Sequence, residues 1–288
     1  MSRILKKSVF QIVSSTIFTV FLAIFIPSVF LMLVASNLKA EDLPVTKVNK
    51  KMDLFNGQNL DGWYKWIQNQ GKNNDPAGVF TVRDGMIRVS GETWGCITTE
   101  KSYSNYRIVV EYKWGEKTWG GREKKARDSG LLIHTFGEDG DFGGIWAKSV
   151  EANICEGATG DFWIVGDGDD GISATCKATR RKNNKLVYDP ENGESVTLTS
   201  NSQGGIQNRY GSVDYRDEKD FRGPDDVEKA DEWNTLTVDA CGNKMTVYVN
   251  GVLVNEITDL KQDAGKIQLQ SEGAEIFFRK ISLEPLTK

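Results

Sequence analysis

Hydrophobic and polar residues alternate with a period of two along most of the chain beyond residue 48, the pattern of strands with one buried face. Val79-Phe80-Thr81-Val82 passes through Arg83-Asp84-Gly85 into Met86-Ile87-Arg88-Val89, which predicts a hairpin. Strands are also predicted over Tyr106 to Trp114, Gly130 to His134 and Ser149 to Glu156, and a later group over Trp233 to Asp239, Lys244 to Val249 and Val252 to Glu256. Asn250-Gly251 between the last two is a strong hairpin-turn signal. Lys266 to Gln270 and Glu275 to Leu283 are the closing strands. No long stretch carries a 3.6-residue apolar stripe, so the expectation is an all-β antiparallel sandwich or jelly roll. Trp114 to Asp128 and Gly157 to Asp231 break the alternation and are expected as long polar loops, the second with short strands near Val187 and Val196 to Leu198.

The first forty residues follow a different rule. Arg3, Lys6 and Lys7 precede an uncharged run from Ser8 to Leu38, and Leu38-Lys39-Ala40 offers a small residue for cleavage. That order is a secretory signal, with a retained membrane anchor through residues 8–38 as the second reading. Either one exports the remainder to a periplasmic or extracellular compartment. The expected organisation is a signal or anchor over 1–40 and one β-sandwich domain over 48–286.

Composition then narrows the function. The 288 residues carry a net charge of −4, but Arg3, Lys6, Lys7 and Lys39 are the only charged side chains of the leader. The remainder holds 32 basic against 40 acidic residues, a net of −8. Such a surface argues against nucleic-acid binding, which needs a positive footprint. The single histidine, His134, excludes a histidine-rich zinc site. Cys96, Cys155, Cys176 and Cys241 allow three complete pairings, with Cys155–Cys176 the first choice and buried free thiols a close alternative.

Candidate chemistry sits on two strands. In Ser149-Val-Glu-Ala-Asn-Ile-Cys-Glu156, alternation places Glu151 and Asn153 on one face, a carboxylate and an amide suited to a sugar, with Glu156 joining them only through a β-bulge. His134 closes the neighbouring strand as a candidate proton carrier. Trp146 and Trp163 flank the acidic strand as ring-stacking surfaces, whereas Trp233 reads as core. Gly160-Asp161 and the aspartates of Gly166 to Gly171 make a divalent cation the one cofactor to consider, without the spacing of a known calcium loop. An esterase elbow is missing, so acyl transfer is unsupported.

Several motifs carry a family resemblance: Leu54-Phe-Asn-Gly-Gln-Asn-Leu-Asp-Gly-Trp63, Tyr103 to Trp114, Asp128-Ser-Gly-Leu-Leu-Ile-His134, and Ser149-Val-Glu151. Glu232-Trp-Asn234 and Ile267-Gln-Leu-Gln-Ser-Glu-Gly273 leading to Phe278-Arg-Lys-Ile281 complete the series. In this order they resemble the 3-keto-disaccharide hydrolase domain family over roughly Met52 to Leu286. The resemblance implies a concanavalin A-like jelly roll of two antiparallel sheets acting on a small oxidised saccharide. Asn153 stands where the family has glutamine, and Lys280 where it has asparagine. With a 3-keto sugar as substrate, Glu151 is expected as the base, His134 as proton donor or orienting group and Arg279 as oxyanion stabiliser. Asn153, Glu156, Trp146, Trp163 and Asp161 would contact the sugar. The alternatives are a glycan-binding module, and a two-carboxylate β-glucanase-like hydrolase using Glu151 and Glu156.

Overall fold

The computed structural model describes residues 44–166, 168, 171–200, 205–210, 222–223 and 225–286. The leader of 1–40 and most of the aspartate cluster at 166–171 lie outside these residues. The rest is a two-sheet, mostly antiparallel jelly-roll sandwich. The front sheet runs from Gly71–Lys72 and Trp63–Ile67 through Gly95–Thr99, Ala264–Ser271, Asp128–Phe136, Lys148–Cys155 and Phe162–Val165 to short outer strands. The back sheet is centred on two long strands, Tyr106–Thr118 and Ala274–Pro285, paired antiparallel to each other. The front sheet's exceptions are two parallel pairs, Leu186–Tyr188 with Ile206–Gln207 and Val45–Lys47 with Ser102–Ser104.

Alternation explains the packing. Tyr106, Ile108, Val110, Tyr112 and Trp114 point into the sandwich, where they meet Leu131, Ile133, Val150, Ala152 and Ile154 from the front sheet. Each large apolar side chain removed from water in this way contributes about 1.5–3 kcal/mol. Both expected hairpins form: Asp84-Gly85 and Asn250-Gly251 adopt positive φ at both turn positions, as a type I′ turn requires.

Three expectations need correction. The Tyr106 strand extends to Thr118, so the polar stretch after Trp114 is partly strand and then a short 3-10 turn at Arg122–Lys124. The second long loop has its expected short strands, at Leu186–Tyr188 and Glu194–Thr199, but adds three more at Phe162–Val165, Ser173–Arg180 and Ile206–Gln207. No disulfide joins the four cysteines, and Cys96, Cys155 and Cys176 are buried, so the Cys155–Cys176 bridge does not form and the alternative of buried thiols holds.

Candidate functional site

On the outer face of the front sheet, Glu151 stands opposite Leu132 on one neighbouring strand and Trp163 on the other. Asn153, two residues on, stands opposite Gly130. A Cβ at Gly130 would collide with Glu151 Oε1 and with Gln270 Oε1, so carboxylate and amide converge over a strip of bare backbone. The resulting cavity, about 210 Å³, is lined by Glu151, Asn153, Gln270, Trp146 and Trp163, with Asp128 and Glu272 among its other walls. Arg122 ties those two acids together, Nη2 donating to Asp128 Oδ2 at 2.9 Å and to Glu272 Oε1 at 2.8 Å.

The segment after Phe136 folds back over this face and delivers Trp146. Its indole stacks between Trp94 (5.7 Å) and Phe142 (6.3 Å), and Trp66 Nε1 donates to Gly144 O at 3.2 Å, pinning the loop. Among the described residues, Trp146 Nε1 and Gln270 Oε1 have no hydrogen-bond partner and are buried. Buried polar atoms are almost always satisfied, so an unmet donor and an unmet acceptor beside one cavity are unusual. Glu151, 7% exposed, is the carboxylate between the two tryptophan walls.

The other expected site residues lie elsewhere. His134 is fully buried on the opposite face: both partner strands shift register between residues 132 and 136, its φ is +53°, and its ring meets Tyr106 edge-on at 5.9 Å. This bulge turns the imidazole into the sandwich and away from Glu151, so the expected convergence of the two is corrected. Arg279 belongs to the back sheet, where Nε donates to Glu111 at 2.7 Å. Asp161 serves the loops, its Oδ1 accepting from Asn208 N at 2.8 Å.

Glu156 ends its strand inside an ion cluster rather than in the cavity. Arg127 donates to it from Nη2 at 2.6 Å and Nε at 3.0 Å, and Arg222 Nη2 lies at 3.4 Å. Burial pushes this carboxyl up, but the Arg127 hydrogen bonds and charge outweigh it and hold the group below its ordinary range.

Among the described residues, no group of three or more His, Cys, Asp or Glu side chains is arranged to hold a metal ion. Gln270, Glu272, Asp128 and Arg122 are not among the expected site residues. Gln268, Gln270 and Glu272 alternate with Ile267 and Leu269, so the period-two pattern did hold a signal for the first two acceptors of that face.

Two expected results test this geometry. Gly130→Ala should push Glu151 and Gln270 apart, which a crystal structure of the variant would show as a shift of both side chains. The accompanying loss of stability should be only about 1–3 kcal/mol by urea denaturation. Burial drives His134 down to about 4 from its ordinary 6.5. The folded state therefore resists protonation, and stability present above 6.5 should be lost as pH falls toward 4, by on the order of 3 kcal/mol. His134→Asn, which tolerates the left-handed backbone, should flatten that part of the acid limb in a urea series between pH 7 and 4.

Residues 50–284 match the family model described as a 3-keto-alpha-glucoside-1,2-lyase-like domain. No curated protein matches the chain. Among solved structures, a candidate glycosyl hydrolase from Parabacteroides distasonis ATCC 8503 is similar at 16% identity, covering 83% of this chain and 94% of that one, with a TM-score of 0.48. The β-glucanase of Bacillus licheniformis gives 12%, 82%, 99% and 0.41 in the same order. The carbohydrate-binding module CBM66 of Bacillus subtilis gives 14%, 84%, 99% and 0.41. With a family model spanning nearly all of the described fold, including the four strands that build the cavity, the chain belongs to the 3-keto-alpha-glucoside-1,2-lyase-like domain family.

Proposed function

We propose that this glycosidase-like protein cleaves 3-keto-glycosides by elimination across C1 and C2, with Glu151 as the base. A ketone at C3 acidifies the proton on C2. Glu151 takes that proton, the electrons pass into the C3 enolate, and their return expels the aglycone oxygen from C1 as the C1–C2 double bond forms. The proton now on Glu151 serves the departing oxygen, because C2 and the leaving group are on adjacent atoms. Water adding across the double bond, hydroxyl to C1 and proton to C2, would complete net hydrolysis. Trp146 Nε1 and the Asn153 amide are the donors for the C3 oxygen, and Gln270 Oε1 accepts from a ring hydroxyl.

The observation that carries this reading is the buried Glu151 carboxylate laid over Gly130 between two tryptophans, in a chain of this family. The two-carboxylate route through Glu151 and Glu156 is disfavoured because Glu156 is committed to Arg127 and Arg222. His134 and Arg279 have no step in this scheme. The leader pattern supports a site of action outside the cytoplasm.

The test is to incubate the protein with a 3-keto-disaccharide and with its unoxidised parent. Cleavage of the oxidised sugar alone, with an unsaturated keto sugar as a transient product, is the expected result. Equal cleavage of both would remove the elimination route. Binding without turnover of either would leave a glycan-binding module on the same cavity.

A further inference from the structure

A second and larger cavity, about 560 Å³, opens at the back sheet and shares no lining residue with the Glu151 cavity of about 210 Å³. Two aromatic side chains wall it. Phe277 stands opposite Lys113 on one side, and Trp233 precedes the strand that pairs with Tyr112 on the other. Between them the floor drops at Gly115, where a Cβ would collide with the Glu275 carboxylate. The construction repeats that of the front cavity: a strand glycine, a carboxylate laid over it, and aromatic walls on either side.

Trp233, expected as core, is instead half-buried, with the Arg279 guanidinium 4.3 Å from its ring. Glu111 holds that guanidinium in turn, Arg279 Nε donating to Oε2 at 2.7 Å. This is a braced aromatic platform, and it accounts for an arginine that the front site leaves unused. The charged lining is balanced, Lys113, Lys117 and Arg127 against Glu116, Asp231 and Glu275. Glu275 is further neutralised by Arg88 at 2.6 Å and Arg127 by Glu156 at 2.6 Å. A lining with no net charge, rich in donors and acceptors beside ring faces, suits hydroxyls and apolar sugar faces rather than an ion.

We infer that the back-sheet cavity is a second saccharide site, which binds a neutral oligosaccharide without cleaving it. Its volume, more than twice that of the front cavity, suits a ligand of more than one ring. The inference does not depend on the elimination chemistry.

The full-length protein carrying Glu151→Gln, which silences turnover, would be titrated calorimetrically with cellopentaose, laminaripentaose and maltopentaose. Saturable binding to at least one is expected. Trp233→Ala should weaken it roughly tenfold or more, and Trp163→Ala should leave it unchanged. Phe277→Ala provides the same readout should Trp233→Ala fail to fold by circular dichroism. Binding that survives both back-sheet substitutions, binding lost with Trp163→Ala, or no binding to any of the three sugars overturns the inference.

Discussion

Glu151→Gln should lower kcat on a 3-keto-glucoside by about 10²–10⁴-fold while KM and the melting temperature stay near those of the parent protein. Glutamine keeps the volume and the hydrogen-bonding reach of the side chain over Gly130, but its amide cannot take a proton from C2. The cavity walls and the other polar contacts survive, so binding is retained and the loss falls on the chemical step. Trp163→Ala makes the useful contrast. It removes a stacking wall opposite Glu151 and should raise KM with a smaller effect on kcat. A Glu151→Gln protein that keeps kcat within a few fold of the parent would remove Glu151 as the base and would turn attention to Asp128 and Glu272.

Why the front site was partly legible in the sequence follows from the strands that build it. Ser149 to Cys155 is a regular strand paired on both sides, so alternation alone puts Glu151 and Asn153 on one face and Val150, Ala152 and Ile154 in the core. His134 ends a run that looks equally regular, yet the backbone there is left-handed and bulged. The cause is non-local: Gly265, on the neighbouring strand, has no side chain to exclude the His134 backbone, and a Cβ there would strike its carbonyl carbon. Nothing within Leu131 to Phe136 shows that neighbour. Arg279 illustrates a different failure. Its strand lies where alternation puts it, but which sheet a strand joins is a property of topology, and this one pairs with Tyr106–Thr118 at the back. Gln270 is an outward position of the Lys266 strand by alternation, and Glu272 follows that strand's end. Their meaning depended on Asp128–Phe136 lying between that strand and Glu151.

Arg222→Met should cost about 3–5 kcal/mol at pH 7, measured by urea denaturation, the largest stability loss expected from a single substitution. Arg222 Nη1 donates to Glu228 Oε2 at 2.9 Å and to Asp226 Oδ2 at 2.8 Å, and its Nη2 faces Glu156 Oε1 at 3.4 Å. Glu228 is buried, and Trp114 Nε1 (2.7 Å) and Tyr112 OH (3.0 Å) also donate to it. Methionine keeps much of the apolar stem but leaves the Glu228 carboxylate in the interior with neutral donors only. Burial already pushes this carboxyl above its ordinary 4.5 despite the Arg222 charge, and removing that charge pushes it further. The sign of the pH dependence follows. A carboxyl whose folded pKa exceeds its unfolded value takes up its proton first in the folded state. The deficit of the variant should therefore be full above the folded pKa and shrink as pH falls toward 4.5. Adding Glu228→Gln to Arg222→Met removes the stranded charge and should restore part of the loss at pH 7 and abolish its pH dependence. The consequence reaches the front cavity, because Glu156 N donates to Arg127 O at 2.9 Å and so fixes the ends of the two strands that carry Asp128 and Glu151. An Arg222→Met protein within about 1 kcal/mol of the parent at pH 7 would show that the neutral donors suffice to hold Glu228, and that the cluster is not what secures those strand ends.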